Sequence, residues 1–290
     1  MKNLNKSASL SIIFFIYVLA IFISYLVLHQ VPYQDTMVKV LEADIAATII
    51  VFMFSVFLKN SSVHDAYWSV IPPFIALYLI LINPNGNSLR QYLIFGLILF
   101  WSIRLTANWA RGWANLNHED WRYRKIANDT GKFYWPVSFL GIHLMPTIFV
   151  FLGCLPLWFG MQSSEPIGIM DFGAFVITNI AILIEWTADE QLWRFKKQKN
   201  ELSYMNKGVW SVMRHPNYFG EILFWVGLFL FVPASQSYDG WWTAVSFVSM
   251  IILFRFISIP LMDKRNLTKR PGYEKYIKEV YALMPLKKSK

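Results

Sequence analysis

The residues best placed to do chemistry lie close together in the run GVWSVMRHPNYFGEILFWVG, where polar side chains meet a strongly apolar stretch. Pro216 suits the first turn of a helix, because its missing N–H would have no intrahelical partner there. His215, or Asn217 if the helix starts later, then caps it. A helix start favours anions through its free N–H groups and its dipole. Arg214 and His215 beside such an end form a seat for a phosphate. Trp210, Tyr218 and Tyr204 offer faces on which a flat ring can stack. Asn217 and Glu221 are four residues apart and share one helix face. The aromatic residues alone would equally suit an interfacial anchor belt.

Other polar residues extend the pattern. In LIEWTADEQLWRF, Glu185, Asp189 and Lys196 recur at i, i+4 and i+11 on one helical stripe, with Gln191 and Arg194 on a neighbouring one. Ionisable residues inside apolar spans cost roughly 2.5–3.5 kcal/mol each to insert, which marks Glu185, Glu221 and Arg255 for function. Arg104, Asn108 and Arg111 form a polar stripe of their own. His118, Glu119 and Asp120 are consecutive, whereas metal ligands on a helix face need a spacing of three or four, so no metal is assigned. His64, Asp65 and Tyr67 precede an apolar stretch and either face a pocket or cap a helix. No glycine-rich dinucleotide fingerprint, Walker motif, Gly-x-Ser-x-Gly or Cys-x-x-Cys is present. Any nucleotide site must therefore be built by membrane helices and not by a soluble nucleotide-binding fold. The single cysteine, Cys154, excludes an internal disulfide and reads as a small apolar residue.

The elements that must position these residues are membrane helices. Of the 290 residues, 56% are hydrophobic and only 16% are charged, where a soluble domain carries about 25% charged residues. Eight apolar stretches stand out: Leu10–Leu28, Ile45–Leu58, Tyr67–Ile82, Gln91–Ile103, Phe133–Met161, Phe172–Trp186, Tyr218–Val232 and Trp241–Pro260. A spanning helix needs roughly 20 residues, so the second and fourth must extend into their polar flanks. Gln91–Ile103 is the weakest, and without it the count is seven. Leu10–Leu28 is longer than a signal-peptide core and no small-residue cleavage site follows, so it reads as a retained span.

Lysine and arginine number six in residues 104–132, six in 187–217 and nine in 261–290, and none in 162–171 or 233–240. With eight spans these basic segments share a side with the N-terminus, and the positive-inside rule places both termini in the cytoplasm. The expectation is an all-α polytopic transmembrane bundle of seven to eight spans, a single membrane domain over residues 1–290 in a bacterial inner (cytoplasmic) membrane. Topology and contact with anionic lipid account for much of the basic face. Nothing suggests a nucleic-acid or protein partner, and the repeated halves of a transporter are absent.

The run GVWSVMRHPNYFGEILFWVG, followed by RNLTKRPGYEKYIKEVYALMP, resembles the steroid 5-alpha-reductase C-terminal superfamily, closest to its bacterial branch of membrane proteins, the DUF1295 family. The resemblance covers roughly Arg104 to Pro285 and includes HEDWRY, DEQLWRF from Asp189, and Pro271-Gly272-Tyr273. The Arg-His-Pro-x-Tyr element by itself is shared with isoprenylcysteine and phospholipid methyltransferases, which bind S-adenosylmethionine. The resemblance implies an NADPH pocket at the cytoplasmic ends of the last helices, with contacts from Asp189, Lys197, Tyr204, Asn217, Tyr218 and Arg255. Arg214 and His215 stand where relatives carry basic residues, and Asp263 and Arg265 where family members complete the cofactor site. Arg194, Trp210 and Glu221 join this set from the residue patterns above.

The family's reductases hold a substrate ketone with a Glu and a Tyr from the N-terminal half. By position, Asp65 and Tyr67 stand in for them here, with Tyr123 as a further donor. The implied activity is NADPH-dependent reduction of a lipid-soluble enone, with steroid, hopanoid, quinone and fatty enone all open as substrates. A donor in a dry site would stabilise charge developing on the carbonyl oxygen. Two other readings stay open. One is an S-adenosylmethionine-dependent methyltransferase, which needs no bisphosphate seat. The other is a non-catalytic membrane protein whose polar face only anchors.

Overall fold

A computed structural model describes residues 4–30, 35–198 and 204–285. The described residues form helices and no strand: α1 (Lys6–Gln30), α2 (Thr36–Leu58), α3 (Tyr67–Ile82), α4 (Ser88–Gly112), α5 (Trp121–Thr130), α6 (Tyr134–Ser138), α7 (Met145–Gln162), α8 (Ile169–Lys197), α9 (Pro216–Phe229), α10 (Phe231–Ala234), α11 (Val245–Ile252), α12 (Ile259–Lys269) and α13 (Tyr273–Glu279). Eight helical segments among them are long and apolar enough to cross a membrane. The chain is an integral multi-pass membrane protein. Large apolar side chains such as Phe14, Phe57 and Phe256 are exposed, as a lipid-facing surface requires.

The spans outrun their apolar cores. Gln91–Ile103, the weakest stretch by composition, is the middle of a 25-residue helix, so the seven-span count does not hold. The second span begins at Thr36 and not near Ile45, because Asp35 caps it by accepting from Met37 N at 2.8 Å. That shift carries Asp44 into the span. The fifth span is composite, running from α5 through α6 and a π-helical turn at Phe139–Leu144 into α7.

The chain packs as two compact units. The first comprises Met1–Pro84 and Ile98–Trp158. In it, α1 lies along α2 through small buried residues, Ala20, Ala43 and Ala47. Ser24 Oγ donates to Ala43 O across this contact at 2.7 Å. Small residues let helix backbones approach closely where no hydrophobic effect drives association.

The second unit comprises Asn85–Leu97 and Phe159–Lys290. Here α8 packs along α9, and Gly220 makes the approach possible: a Cβ there would lie 2.4 Å from Glu185 Cγ and 3.0 Å from Ala181 O. Arg90 and Asp171 form a fully buried ion pair at 2.6 Å. The same guanidinium donates to the carbonyls of Glu165 and Pro166, closing the turn before α8. The last elements fold back on α9: Arg214 N donates to Tyr281 O and His215 N to Ala282 O, at 2.9 and 3.0 Å. Gly272, at φ +82°, supplies the left-handed turn that starts α13.

Candidate cofactor-binding site

A polar constellation of the second unit surrounds a cavity of about 790 Å³. Four segments build it: the end of α8, the stretch from Tyr204 to Tyr218, α12, and the start of α13. Met262, Arg265, Asn266 and Lys269 recur at helical spacing, so one face of α12 lines the cavity. Arg270 follows, and Lys196 enters from α8. The described lining therefore carries five lysine and arginine side chains with His215, and no Asp or Glu.

One carboxylate organises this site from behind. Asp263 accepts from Arg214 Nη2 at 2.8 Å, from His215 Nε2 at 3.2 Å and from the Tyr273 hydroxyl at 2.7 Å. Burial first, and then this carboxylate, pushes the Tyr273 phenol above its ordinary range, so it stays an O–H donor. Arg214 also donates through Nη1 to Val280 O at 2.5 Å. The arginine of the Arg-His-Pro element thus ties the C-terminal segment to the start of α9 while it lines the cavity.

Aromatic rings complete the walls, mostly stacked on one another. Tyr218 stacks on His215 and on Phe254, with centroids 5.2 and 4.6 Å apart. Tyr204 stacks on Tyr276 at 5.3 Å and donates to Gly272 O at 3.1 Å. Trp210 donates from its indole to Ala188 O at 3.1 Å, and its carbonyl accepts the Tyr276 hydroxyl. Two polar atoms here are buried without a hydrogen bond: Asn217 Oδ1 and Arg214 Nε. Buried polar groups are nearly always paired, so such an atom on a cavity wall marks where a ligand would bind.

Pro216 does occupy the first turn of α9, with His215 at the cap position. The His215 side chain makes no capping bond and turns to Asp263 instead, so no side chain caps that helix start. Seven of the residues expected to touch a cofactor line the cavity: Tyr204, Trp210, Arg214, His215, Asn217, Tyr218 and Arg265. Asp263 stands one bond behind them.

The others lie off the described lining. Arg194 is exposed and pairs with Glu190 at 2.7 Å. Lys197 lies over the Trp193 ring, 3.5 Å from its centroid. Glu221 is buried and accepts from Trp225 Nε1 at 2.9 Å. Arg255 sits in an exposed π-helical turn against Phe256, and Asp189 is half-buried on α8. Sequence patterns alone did not single out Lys196, Asn266, Lys269, Arg270 or Tyr276 as contacts. The 262/265/266/269 spacing on α12 was the signal that could have found two of them, Asn266 and Lys269.

Asp65, Tyr67 and Tyr123 belong to the first unit. Tyr123 donates to Asp65 at 2.6 Å, and Tyr67 donates to Asp44 at 2.9 Å. Asp44, 4% exposed, was overlooked because the apolar stretch was read from Ile45 onward. His118, Glu119 and Asp120 serve the fold: His118 O accepts from Asn60, Glu119 from Ser61 N and the Tyr134 hydroxyl, and Asp120 caps α5. Among the described residues, no group of three or more His, Cys, Asp or Glu could hold a metal ion.

Comparison with known proteins agrees on the family. The chain is 26% identical over 257 residues to the uncharacterized protein C594.04c of Schizosaccharomyces pombe, an alignment covering 80% of this chain and 74% of that one. No solved structure matches. The family model described as a protein of unknown function (DUF1295) matches residues 51–280. That match takes in both the Asp65–Tyr123 pair and every described residue lining the cavity, and the chain belongs to the DUF1295 family.

Proposed function

We propose that this protein is a membrane-embedded, NADPH-dependent reductase of a lipid-like enone, related to the steroid 5-alpha-reductase superfamily that its C-terminal motifs resemble. The observation that carries this reading is the surplus of positive charge around one cavity. Five Lys and Arg side chains and His215 face about 790 Å³ with no carboxylate in the described lining. A volume of that size falls within the roughly 300–1,000 Å³ of small-molecule and cofactor pockets. A cavity wall rich in cations favours a polyanion by Coulomb attraction. A phosphorylated dinucleotide meets that demand. S-adenosylmethionine, with its positive sulfonium, meets it poorly.

The residues divide the work accordingly. Arg265, Lys269 and Arg270 are the groups to hold phosphates, helped by the uncapped start of α9. Asn217 Oδ1 accepts an N–H or O–H of the cofactor. Asp263 keeps Arg214, His215 and Tyr273 in fixed orientations, which reduces the ordering lost on binding. Bound there, NADPH supplies a hydride to the carbon–carbon double bond. Tyr67 and Tyr123 are the proposed donors for a carbonyl oxygen gaining negative charge, each on releasing the carboxylate, Asp44 or Asp65, to which it now donates. A lipid-soluble substrate reaches such an enzyme from the bilayer. The positive-inside rule assigns the basic face, and the cavity with it, to the cytoplasm.

The test is NADPH oxidation by the purified protein in lipid vesicles, offered a panel of steroid, quinone and fatty enones. Turnover with at least one enone, lost in the Arg265→Ala/Lys269→Ala double variant, supports the reading. Methyl transfer from S-adenosylmethionine without NADPH oxidation replaces it with the methyltransferase reading.

A further inference from the structure

The first unit contains a hydrogen-bonded series that the dinucleotide reading does not use. It starts at Glu119, a half-buried carboxylate outside the candidate spans. Tyr134 OH lies 3.1 Å from Glu119 Oε1 and 2.7 Å from Ser61 Oγ. Ser61 Oγ lies 2.8 Å from Ser138 Oγ, which lies 3.5 Å from His143 Nδ1. Beyond the ring, His143 Nε2 lies 3.0 Å from Ser55 Oγ. Ser61, Ser138, His143 and Ser55 are all 0% exposed, so bulk water does not reach them.

We propose that this series is a proton relay, carrying a proton from Glu119 at the membrane boundary to the buried imidazole of His143. Two features of the geometry point to transport and not to a static network. First, His143 is provided for in both protonation states. As a neutral ring protonated on Nε2, it donates to Ser55 Oγ and accepts at Nδ1 from Ser138 Oγ. As an imidazolium it donates from Nδ1 to Ser138 O, 3.0 Å away, and still donates from Nε2 to Ser55 Oγ, whose hydroxyl donates to Val51 O at 3.0 Å. Second, the inner end is open. The His64 ring lies 4.8 Å from the His143 ring, is 2% exposed, and its Nε2 is buried without a hydrogen bond. A network serving the fold alone would pair that nitrogen.

The step balances. A proton on Glu119 passes to Tyr134 as Tyr134 passes its own to Ser61, Ser61 to Ser138, and Ser138 to His143 Nδ1. Each oxygen gains one proton and gives up one, and the net change is a neutral Glu119 becoming ionised and a neutral His143 becoming an imidazolium. Rotation of the hydroxyls resets the series. The π-helical turn at Phe139–Leu144 gives the relay its bend, turning His143 toward α2 directly after Ser138. This inference does not depend on which cofactor the second unit binds.

The experiment is nitrogen NMR of the full-length protein in lipid bilayers with labelled histidine, His143 being assigned by its loss in His143→Gln. The lifetime of the His143 Nδ1–H signal, the site the relay serves, is followed after transfer to deuterated water at a pH low enough to populate the imidazolium. The relay predicts rapid loss in the wild type, and a lifetime about tenfold longer in Tyr134→Phe and in Ser138→Ala. Thr147→Val removes a neighbouring hydroxyl that bonds His143 O outside the relay, and leaves the lifetime unchanged. The His215 signal, from the other unit, reports that each variant is folded. If Tyr134→Phe and Ser138→Ala exchange as the wild type does, or if Thr147→Val slows exchange equally, there is no relay and the ring exchanges by opening of the helices.

Discussion

In the first unit, three carboxylates each accept a hydrogen bond from a phenol: Asp44 from Tyr67 at 2.9 Å, Asp65 from Tyr123 at 2.6 Å and Glu119 from Tyr134 at 3.1 Å. In the second, five Lys and Arg side chains line a cavity, and Asp263, the carboxylate paired with Arg214, stands behind the wall. Both arrangements put polar atoms in or beside apolar spans, where each costs insertion free energy. They differ in how that cost is offset. The three acids of the first unit each take a hydrogen bond from a neutral phenol of the same unit. The described lining of the second carries cations and no acid, a setting that favours a bound anion. Surplus charge around a cavity points to a ligand. Carboxylates matched one to one with phenols point to internal architecture and to proton chemistry.

This contrast can be broken from either side. The largest effect is expected from Asp263→Ala, which removes the shared acceptor of Arg214, His215 and Tyr273. Leaving the 7%-exposed Arg214 without its carboxylate should lower stability by about 3 kcal/mol, read as a drop in the denaturation midpoint in detergent. An unchanged midpoint would mean that Asp263 does not hold the wall together. In the first unit, Tyr67→Phe strips the buried Asp44 of its phenol and should cost about 2 kcal/mol in the same assay. A neutral outcome there would show that Asp44 has other support.

Smaller effects sharpen the charge argument. Arg265→Ala should weaken NADPH binding about tenfold, or about 1.4 kcal/mol, and leave the midpoint nearly unmoved. A variant that loses stability but keeps its affinity would make Arg265 structural. The smallest change belongs to Arg194→Ala. Its pair with Glu190 is exposed and lies off the described lining, so stability should shift by less than about 0.5 kcal/mol and cofactor affinity not at all. A clear loss of NADPH binding in Arg194→Ala would extend the cofactor site along α8.

Much of the architecture was legible because a lipid-facing helix announces itself by composition. Tyr67–Ile82 matches α3 residue for residue, and the eight stretches became eight spans. The ends were less legible, since polar caps and flanks carry no hydropathy signal. Asp35 caps α2 well before Ile45, and that is how Asp44 was missed. Local motifs also carried geometry: Pro216 starts α9, and Arg214, His215, Asn217 and Tyr218 reach one cavity wall together. Motifs could not say what Arg214 and His215 bind, because Asp263 meets them from 49 and 48 residues away in sequence. Nor could spacing on α8 tell Lys196, which lines the cavity, from Lys197, which turns to Trp193. One residue of helical rotation separates them.

What the cationic cavity binds separates a reductase from a methyltransferase. Calorimetric titration of the purified protein in detergent with NADPH and, separately, with S-adenosylmethionine decides it. The predicted result is saturable NADPH binding that weakens with rising salt and falls in the Arg265→Ala/Lys269→Ala variant, with no heat from S-adenosylmethionine. Saturable S-adenosylmethionine binding with none for NADPH, or binding of neither, would contradict it.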